Sequence, residues 1–360
     1  MEPYFSDRFY NASALYLASR SISKDVEKAR ASIAAHLGAR SAEIIFTAGG
    51  TEADNLAIQG VMSAHPGANL VVSAIEHHAV LRPAEHYQYR VAGVRPDGRL
   101  DLPSLEKLID DQTVLVSVMY ANNEIGTIQP IREISEFITR LRLSRQQRNI
   151  KLPLYLHTDA CQAANYLDLH VSRLGVDLMT LNAGKIYGPK QCGALYVKAG
   201  TVLQPLILGG GQEHGLRSGT ENVANIVGFA AALDLVQTDR QAEAARLTIL
   251  RQHFAISLLA KLPSTVVNGS LKQRLPNNLH LTFLGQDNER LLMQLDERGI
   301  LCAAGSACAA SSEEPSHVLK AIGLSDREAQ ASLRFTIGRQ TTLQDIDSTV
   351  MALVDILGRP

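Results

Sequence analysis

The chemistry-bearing side chains of this chain gather where apolar runs end. Lys185 follows the run VDLMTLN (176–182) and precedes Gly-Pro punctuation. A lysine at an apolar edge loses basicity and acts as an amine nucleophile, although most lysines sit on solvated loops. Asp159 ends LPLYLHTD (152–159), three residues before Gln162. A carboxylate there either pairs with a buried cation or caps the next helix. His77 and His78 follow NLVVSAI (69–75), where an imidazole either lies flat on an aromatic ligand or caps a helix. Gly49, Gly50 and Thr51 stand between EIIFT (43–47) and a helical stretch. Backbone N–H groups at a helix start plus a hydroxyl form an anion cup, and the same glycines also suit a plain tight turn. Asn122, Asn123 and Glu124 follow TVLVSVMY (113–120), a place where loop-starting asparagine is common. GGGQEHGLRSGTEN (209–222), with Arg217, Ser218, Gly219 and Thr220, is a second cup or a flexible loop. In GSACAASSEEPSHVL (305–319), Cys308 lies among small residues with no large apolar neighbour. Buried cysteines behave as small core hydrophobes, so a thiol in such a stretch is either incidental or built to move.

The elements that must hold these residues follow from the hydrophobic pattern. Short runs rich in Val, Leu and Ile alternate with helical stretches such as PIREISEFITRLRLSRQQR (130–148). Non-alternating strands between helices predict a mainly parallel sheet covered on both faces. Ligands of such sheets bind outside the carboxyl ends of the strands, where the residues above fall. Beyond about residue 235 the pattern changes. RQAEAARLTILRQHFAISLLAKL (240–262) reads as one long amphipathic helix, and NNLHLTFL (277–284) alternates like a half-exposed strand. NERLLMQLDERG (288–299) is a helix with a glycine stop, SLRFTIGR (332–339) a strand, and a final helix follows. The expected organisation is a large α/β domain over 1–236 and a smaller α+β domain over 237–360.

Composition narrows the class. The 360 residues are 46% apolar and 20% charged with a net charge of −1, which gives no electrostatic case for nucleic acid or an anionic membrane. Tryptophan is absent and aromatics are 5%, against stacking platforms for bases. No apolar run approaches the roughly 20 residues of a membrane span. The N-terminus MEPYFSDRFY lacks a signal-peptide core, so a cytoplasmic location is expected. The cysteines are Cys161, Cys192, Cys302 and Cys308; none forms a C-x-x-C pair or a zinc spacing, so no metal site is expected. A bridge between Cys302 and Cys308 is the less favoured reading.

Together the set comprises a phosphate cup, a stacking ring, a carboxylate, a lysine and hydroxyls, each at a strand end. Pyridoxal phosphate needs such a set: donors for its phosphate, a flat neighbour for its ring, a carboxylate for its pyridinium nitrogen and a lysine for its aldehyde. The blocks FTAGGTEADNLAI, IEHHAVL, NNEIGTIQPI, HTDACQ, GKIYGPK, LRSGTENV, GSACAASSEEPSHVL and LRFTIGR span almost the whole chain. In that order they resemble the blocks of cysteine desulfurases, pyridoxal-phosphate enzymes of the class V aminotransferase group with the type I aminotransferase fold. The likeness is greatest to the branch used in iron–sulfur cluster assembly and tRNA thiolation, whose catalytic cysteine rides on a long mobile loop.

The resemblance implies roles by position. Cys308 is the nucleophile that takes the sulfur of L-cysteine as a persulfide, and Gly305, Ser306, Ala307, Ala309 and Ala310 give it a light arm. Lys185 holds the cofactor and moves protons, Asp159 pairs with the pyridinium nitrogen, and Gln162 binds the ring hydroxyl. His77 stacks on the ring and assists acid–base steps; Gly50, Thr51 and Asn182 hold the phosphate. Thr220 reaches the partner subunit's phosphate in a homodimer, and Asn123 with Arg334 clamps the substrate carboxylate. A sulfur-acceptor protein is the implied partner. Two departures stand out. The family's Ser-x-His-Lys block here reads Asn182-Ala183-Gly184-Lys185, which removes a phosphate donor at an expected cost of about 1–3 kcal/mol. Met1 aligns after the family's N-terminal strand and Ala-Thr-Thr loop, and Ala12 replaces a proline in PYFSDRFYNAS. Three readings remain: a desulfurase, a lyase for selenocysteine or cysteine sulfinate, and a non-catalytic scaffold. The retained Lys185, Asp159, His77, Gln162, Arg334 and Cys308 speak against the last.

Overall fold

The apolar runs between residues 44 and 197 assemble into one seven-stranded sheet. The structure, a computed structural model, describes residues 1–305 and 315–358. The strands are β1 (Ile44–Thr47), β2 (Asn69–Ser73), β3 (Tyr89–Ala92), β4 (Thr113–Ser117), β5 (Tyr155–Asp159), β6 (Leu178–Asn182) and β7 (Gly193–Val197). Their order is β1-β7-β6-β5-β4-β2-β3. Pairing from β3 through β6 is parallel, as non-alternating apolar strands require, whereas β7 runs antiparallel to both β6 and β1. Gly193 of β7 explains part of that arrangement. A Cβ there would lie 2.7 Å from the Gly49 carbonyl carbon and from the Leu181 oxygen, so only glycine lets β7 pass beneath the turn after β1. The helix Gly50–Ala64 covers the sheet, packing Leu56, Ile58 and Val61 with Leu70, Val72, Leu115 and Leu195 in one buried cluster.

The chain divides into two units, and the division is not a single cut near 236. The first unit comprises 1–92, 102–120 and 130–239; the second comprises 93–101, 121–129 and 240–360. Two short early segments thus fold with the C-terminal part. They are too short and too polar to announce a change of core.

The second unit holds a three-stranded antiparallel sheet of order β10-β9-β8, with β8 at Thr265–Val267, β9 at Asn278–Phe283 and β10 at Ser332–Thr336. The helices Arg240–Lys261 and Leu343–Leu357 pack together in this unit. The alternation in β9 suggested a half-exposed strand, but all six of its residues are buried. Its polar positions mark a second buried face, satisfied internally. Asn268 Nδ2 donates to His280 Nδ1 at 2.9 Å and to Thr282 Oγ1 at 2.7 Å, and Thr282 Oγ1 bonds Ser332 Oγ at 2.7 Å. Buried polar groups are tolerated when paired, and periodicity alone does not distinguish them from solvated ones. Among the described residues no helix is long and apolar enough to cross a membrane, and no His, Cys, Asp or Glu cluster is arranged to hold a metal ion.

Candidate active site

The anion cup opens at the end of β1. Gly49, with φ +146°, is the N-cap of the helix Gly50–Ala64, and no side chain caps its first N–H groups. Those groups and the helix dipole face outward as an anion site. A Cβ on Gly50 would lie 2.7 Å from Cys161 Sγ and 3.3 Å from Asn182 Cβ and Nδ2, so the floor of the cup admits glycine only. Thr51 is exposed at the mouth. Glu52, in the same first turn, accepts the Ala48 N–H at 2.9 Å and pairs with Arg217 Nε at 2.9 Å. That pairing offsets the Glu52 charge beside the cup and ties down the 209–222 loop, where Thr220 is exposed.

Asp159 is the last residue of β5 and is 6% exposed. Its Oδ1 accepts the Cys161 N–H at 2.8 Å. This is an Asx turn leading into a turn at 161–166, so the helix-capping alternative is corrected: no helix begins here. Gln162 is half-buried in that turn. His77 does cap a helix: its Nδ1 accepts the Ala79 N–H at 3.1 Å at the start of His78–Ala84. That bond assigns the proton to Nε2 and fixes the ring plane.

Behind Asp159 lies a buried polar layer that sequence reading missed. His157, fully buried, bonds Ser117 Oγ at 2.8 Å through Nδ1 and Thr180 Oγ1 at 3.1 Å through Nε2. Asp54 Oδ1 is 3.7 Å from His157 Nε2, yet the two are no ion pair. Burial pushes His157 down to about 3, so the imidazole is neutral, and burial followed by the charge of Asp159 pushes Asp54 well up from the usual carboxylate range. Glu76 accepts from Ser73 Oγ at 2.5 Å and from the Met119 N–H at 2.7 Å; burial raises it to about 8. Glu76 is thus protonated at neutral pH and adds no negative charge beside Asp159, and the upward shift of Asp54 works in the same direction. The signals were local: His157 and Asp159 share a face of β5 at period 2, and Asp54 sits one helical turn after Gly50.

Lys185 ends a short 3₁₀ turn, Ala183–Lys185, directly after β6. It is exposed, and its carbonyl accepts from Asn165 Nδ2 at 2.6 Å. Asn182 Oδ1 accepts the Gly184 N–H at 3.0 Å, which turns its Nδ2 toward the cup at Gly50. The first unit therefore brings together Gly50, Thr51, His77, Asp159, Gln162, Asn182 and Lys185 at the carboxyl ends of its strands. Asn123 and Arg334 belong to the second unit, where Arg334 Nη1 donates to the Asn123 carbonyl at 3.0 Å.

The aminotransferase class-V family pattern matches residues 1–349. The cysteine desulfurase IscS of Dictyoglomus turgidum is 40% identical over 364 residues, covering 99% of this chain and 90% of that protein. The chain belongs to the cysteine desulfurases. A solved NifS-like protein, 30% identical, superposes with a TM-score of 0.89 over 99% of this chain and 94% of its own. The structure of SspA in complex with cysteine is 32% identical with a TM-score of 0.79, covering 93% of each chain.

Cysteine desulfurases use pyridoxal phosphate, and the first unit fits that cofactor. The Gly50 cradle, which a Cβ would fill, suits a phosphate, and the Asp159 carboxylate suits a pyridinium nitrogen. Cys308 lies outside the described residues. The three described thiols are poor nucleophiles: burial pushes Cys302 up to about 11 and Cys192 up to about 12. Burial, and then Asp159, holds Cys161 well up.

Proposed function

We propose that this desulfurase converts L-cysteine to L-alanine and leaves the sulfur as a persulfide on Cys308, for transfer to an acceptor protein of iron–sulfur cluster assembly or tRNA thiolation. The observation that carries the reading is the convergence of the Gly50 cup, Asp159 and Lys185 at adjoining strand ends of one sheet. Bound pyridoxal phosphate supplies an electron sink at the substrate carbon. Asp159 pairs with its ring nitrogen, Gln162 bonds the ring hydroxyl and His77 covers the ring face. The Gly50 N–H, Thr51 and Asn182 Nδ2 hold the phosphate, and Thr220 reaches the partner subunit's phosphate in a homodimer. Lys185 Nζ would hold the aldehyde and would be the base that moves the Cα proton. Asn123 and Arg334 grip the substrate carboxylate, a suitable task for a guanidinium fork. The Cys308 thiolate attacks the substrate sulfur. An S–S bond forms, the C–S bond breaks, and the electron pair left on carbon takes a proton to give alanine.

Alanine release from L-cysteine, with pyridoxal phosphate and reductant, tests the reading in wild type beside Cys308→Ala. We expect alanine from wild type and a loss of at least a hundredfold in the variant. Equal rates would sink the persulfide step and favour a direct lyase. No alanine and no bound cofactor in either would favour the scaffold reading.

A further inference from the structure

Glu124 is 2% exposed, and none of the roles above employs it. Ser316 Oγ donates to Glu124 Oε2 at 2.5 Å. The same hydroxyl accepts the Val318 and Leu319 N–H groups at 3.2 and 3.4 Å, as N-cap of the helix His317–Ala321, so its single proton is committed to Glu124. From the other direction, Gly305 passes against the same oxygen. A Cβ built at Gly305, where φ is +72°, would lie 3.7 Å from Glu124 Oε2 and 3.7 Å from Ser316 Cβ. Residues 305 and 316 thus meet at one buried carboxylate oxygen.

Glu124 is itself held rigidly. Asn122 Oδ1 accepts the N–H groups of Glu124 and Ile125 at 2.8 and 2.9 Å, and Asn278 Nδ2 donates to the Glu124 carbonyl at 2.8 Å. Two residues before Gly305, Ala303 exchanges backbone hydrogen bonds with Arg334 at 3.1 and 2.7 Å. Arg334 reaches back to the Asn123 carbonyl.

We infer that Glu124 is a positioning residue of the desulfurase reaction: it anchors both ends of the stretch that carries Cys308 onto the turn that also carries Asn123. The inference rests on Cys308 being the sulfur nucleophile. Its physical content is reach. Two residues separate Gly305 from Cys308 along the chain, so the point at which Gly305 is held limits where the thiol can be delivered. Glu124 bonds Ser316 on the far side of that stretch and lies against Gly305 on the near side. Because Ala303 is laddered to Arg334, the entry to the stretch is fixed relative to the proposed carboxylate clamp.

The test compares holoenzymes of wild type, Glu124→Gln, Ser316→Ala and Ser316→Thr. It measures iodoacetamide labelling at Cys308 resolved by mass spectrometry, bound cofactor, and kcat and KM for alanine release. Ser316→Ala and Glu124→Gln should speed labelling at least fivefold and lower kcat about tenfold. KM should stay within twofold and cofactor content should match wild type. Ser316→Thr, which keeps the hydroxyl, should restore wild-type values. Unchanged labelling in both variants would overturn the anchor, and so would a fall in cofactor content parallel to kcat. If Cys308→Ala releases alanine at the wild-type rate, the persulfide reading fails separately, and the labelling rates still report on the anchor.

Discussion

Gly184 leaves open space beside the lysine. A Cβ there would meet only Asn182 Oδ1 at 3.4 Å and Lys190 atoms from 3.7 Å, ordinary contacts. The resemblance puts histidine at this position, and nothing in the local packing excludes it. Gly184→His should therefore fold normally and bind pyridoxal phosphate more tightly, on the order of tenfold if one charge-assisted bond is gained. Equilibrium dialysis of the cofactor reads this without any turnover. Gly50 is the opposite case. Gly50→Ala places a methyl group 2.7 Å from Cys161 Sγ, so cofactor affinity should fall about tenfold or more. Pairing it with Cys161→Ala removes the clashing sulfur and should recover much of the loss. An unchanged affinity in Gly50→Ala would remove the cup floor from the account. At this scale the sequence exposed the residues that end strands. It concealed Cys161 as the partner of Gly50, because 111 positions separate them and only the fold joins them.

At the scale of elements, the 209–222 loop shows what a glycine-rich stretch can hide. It read as a cup or a flexible loop, yet Glu213 within it is buried. Arg30 grips both Glu213 oxygens at 2.7 and 2.9 Å, and the Phe46 N–H adds a third bond at 2.8 Å. Glu213 itself and the next residue, His214, take left-handed φ values of +48° and +57°, held by this anchor. Glu213→Ala takes two of the bonds of the buried Arg30, which keeps Glu27 and the Ile44 carbonyl, and leaves the Phe46 N–H unpaired; it should cost about 1–3 kcal/mol, seen as a lowered Tm with poorer retention of cofactor. The long helices and the parallel strands were legible because burial on one or two faces imposes a period. β3 and β8 were not, since runs of three or four residues carry too little pattern. β7 was concealed by its direction: apolar content reports burial, not whether a strand runs with or against its neighbours. Glu124 was seen only as a loop residue, because its meaning depends on Ser316, 192 positions away.

For the molecule as a whole, pH acts through buried neutral groups. His157 and His280 are each pushed down to about 3 from 6.5 by burial, with Arg274 and Arg334 adding to the effect at His280. Below pH 6.5 the unfolded chain binds protons that the folded one refuses. Their contribution is complete above that pH and is lost toward pH 3, at about 1.4 kcal/mol per pH unit for each histidine. Glu76, raised to about 8 from 4.5, has the opposite sign: its contribution is complete below pH 4.5 and fades as pH rises to about 8. Thermal melts should thus show the acid limb steepen below about pH 4.5, where Glu76 no longer offsets the histidines, and His157→Gln should flatten it; an unchanged limb would mean His157 is not held neutral. The two units also impose an order in time. The segments 93–101 and 121–129 belong to a unit whose remaining residues begin at 240. Gly126 donates no bond to Asn278, but its Cα lies where any side chain would strike that residue at 2.6 Å, and Thr127 bridges Arg274. On a ribosome adding roughly 5–20 residues per second, these partners emerge roughly 150 residues later, a wait on the order of 7–30 s. Through that interval the nascent chain carries Asn123 and Glu124 as unfinished pieces, open to chaperones and to proteases, while the sheet that bears the cofactor residues is still being made.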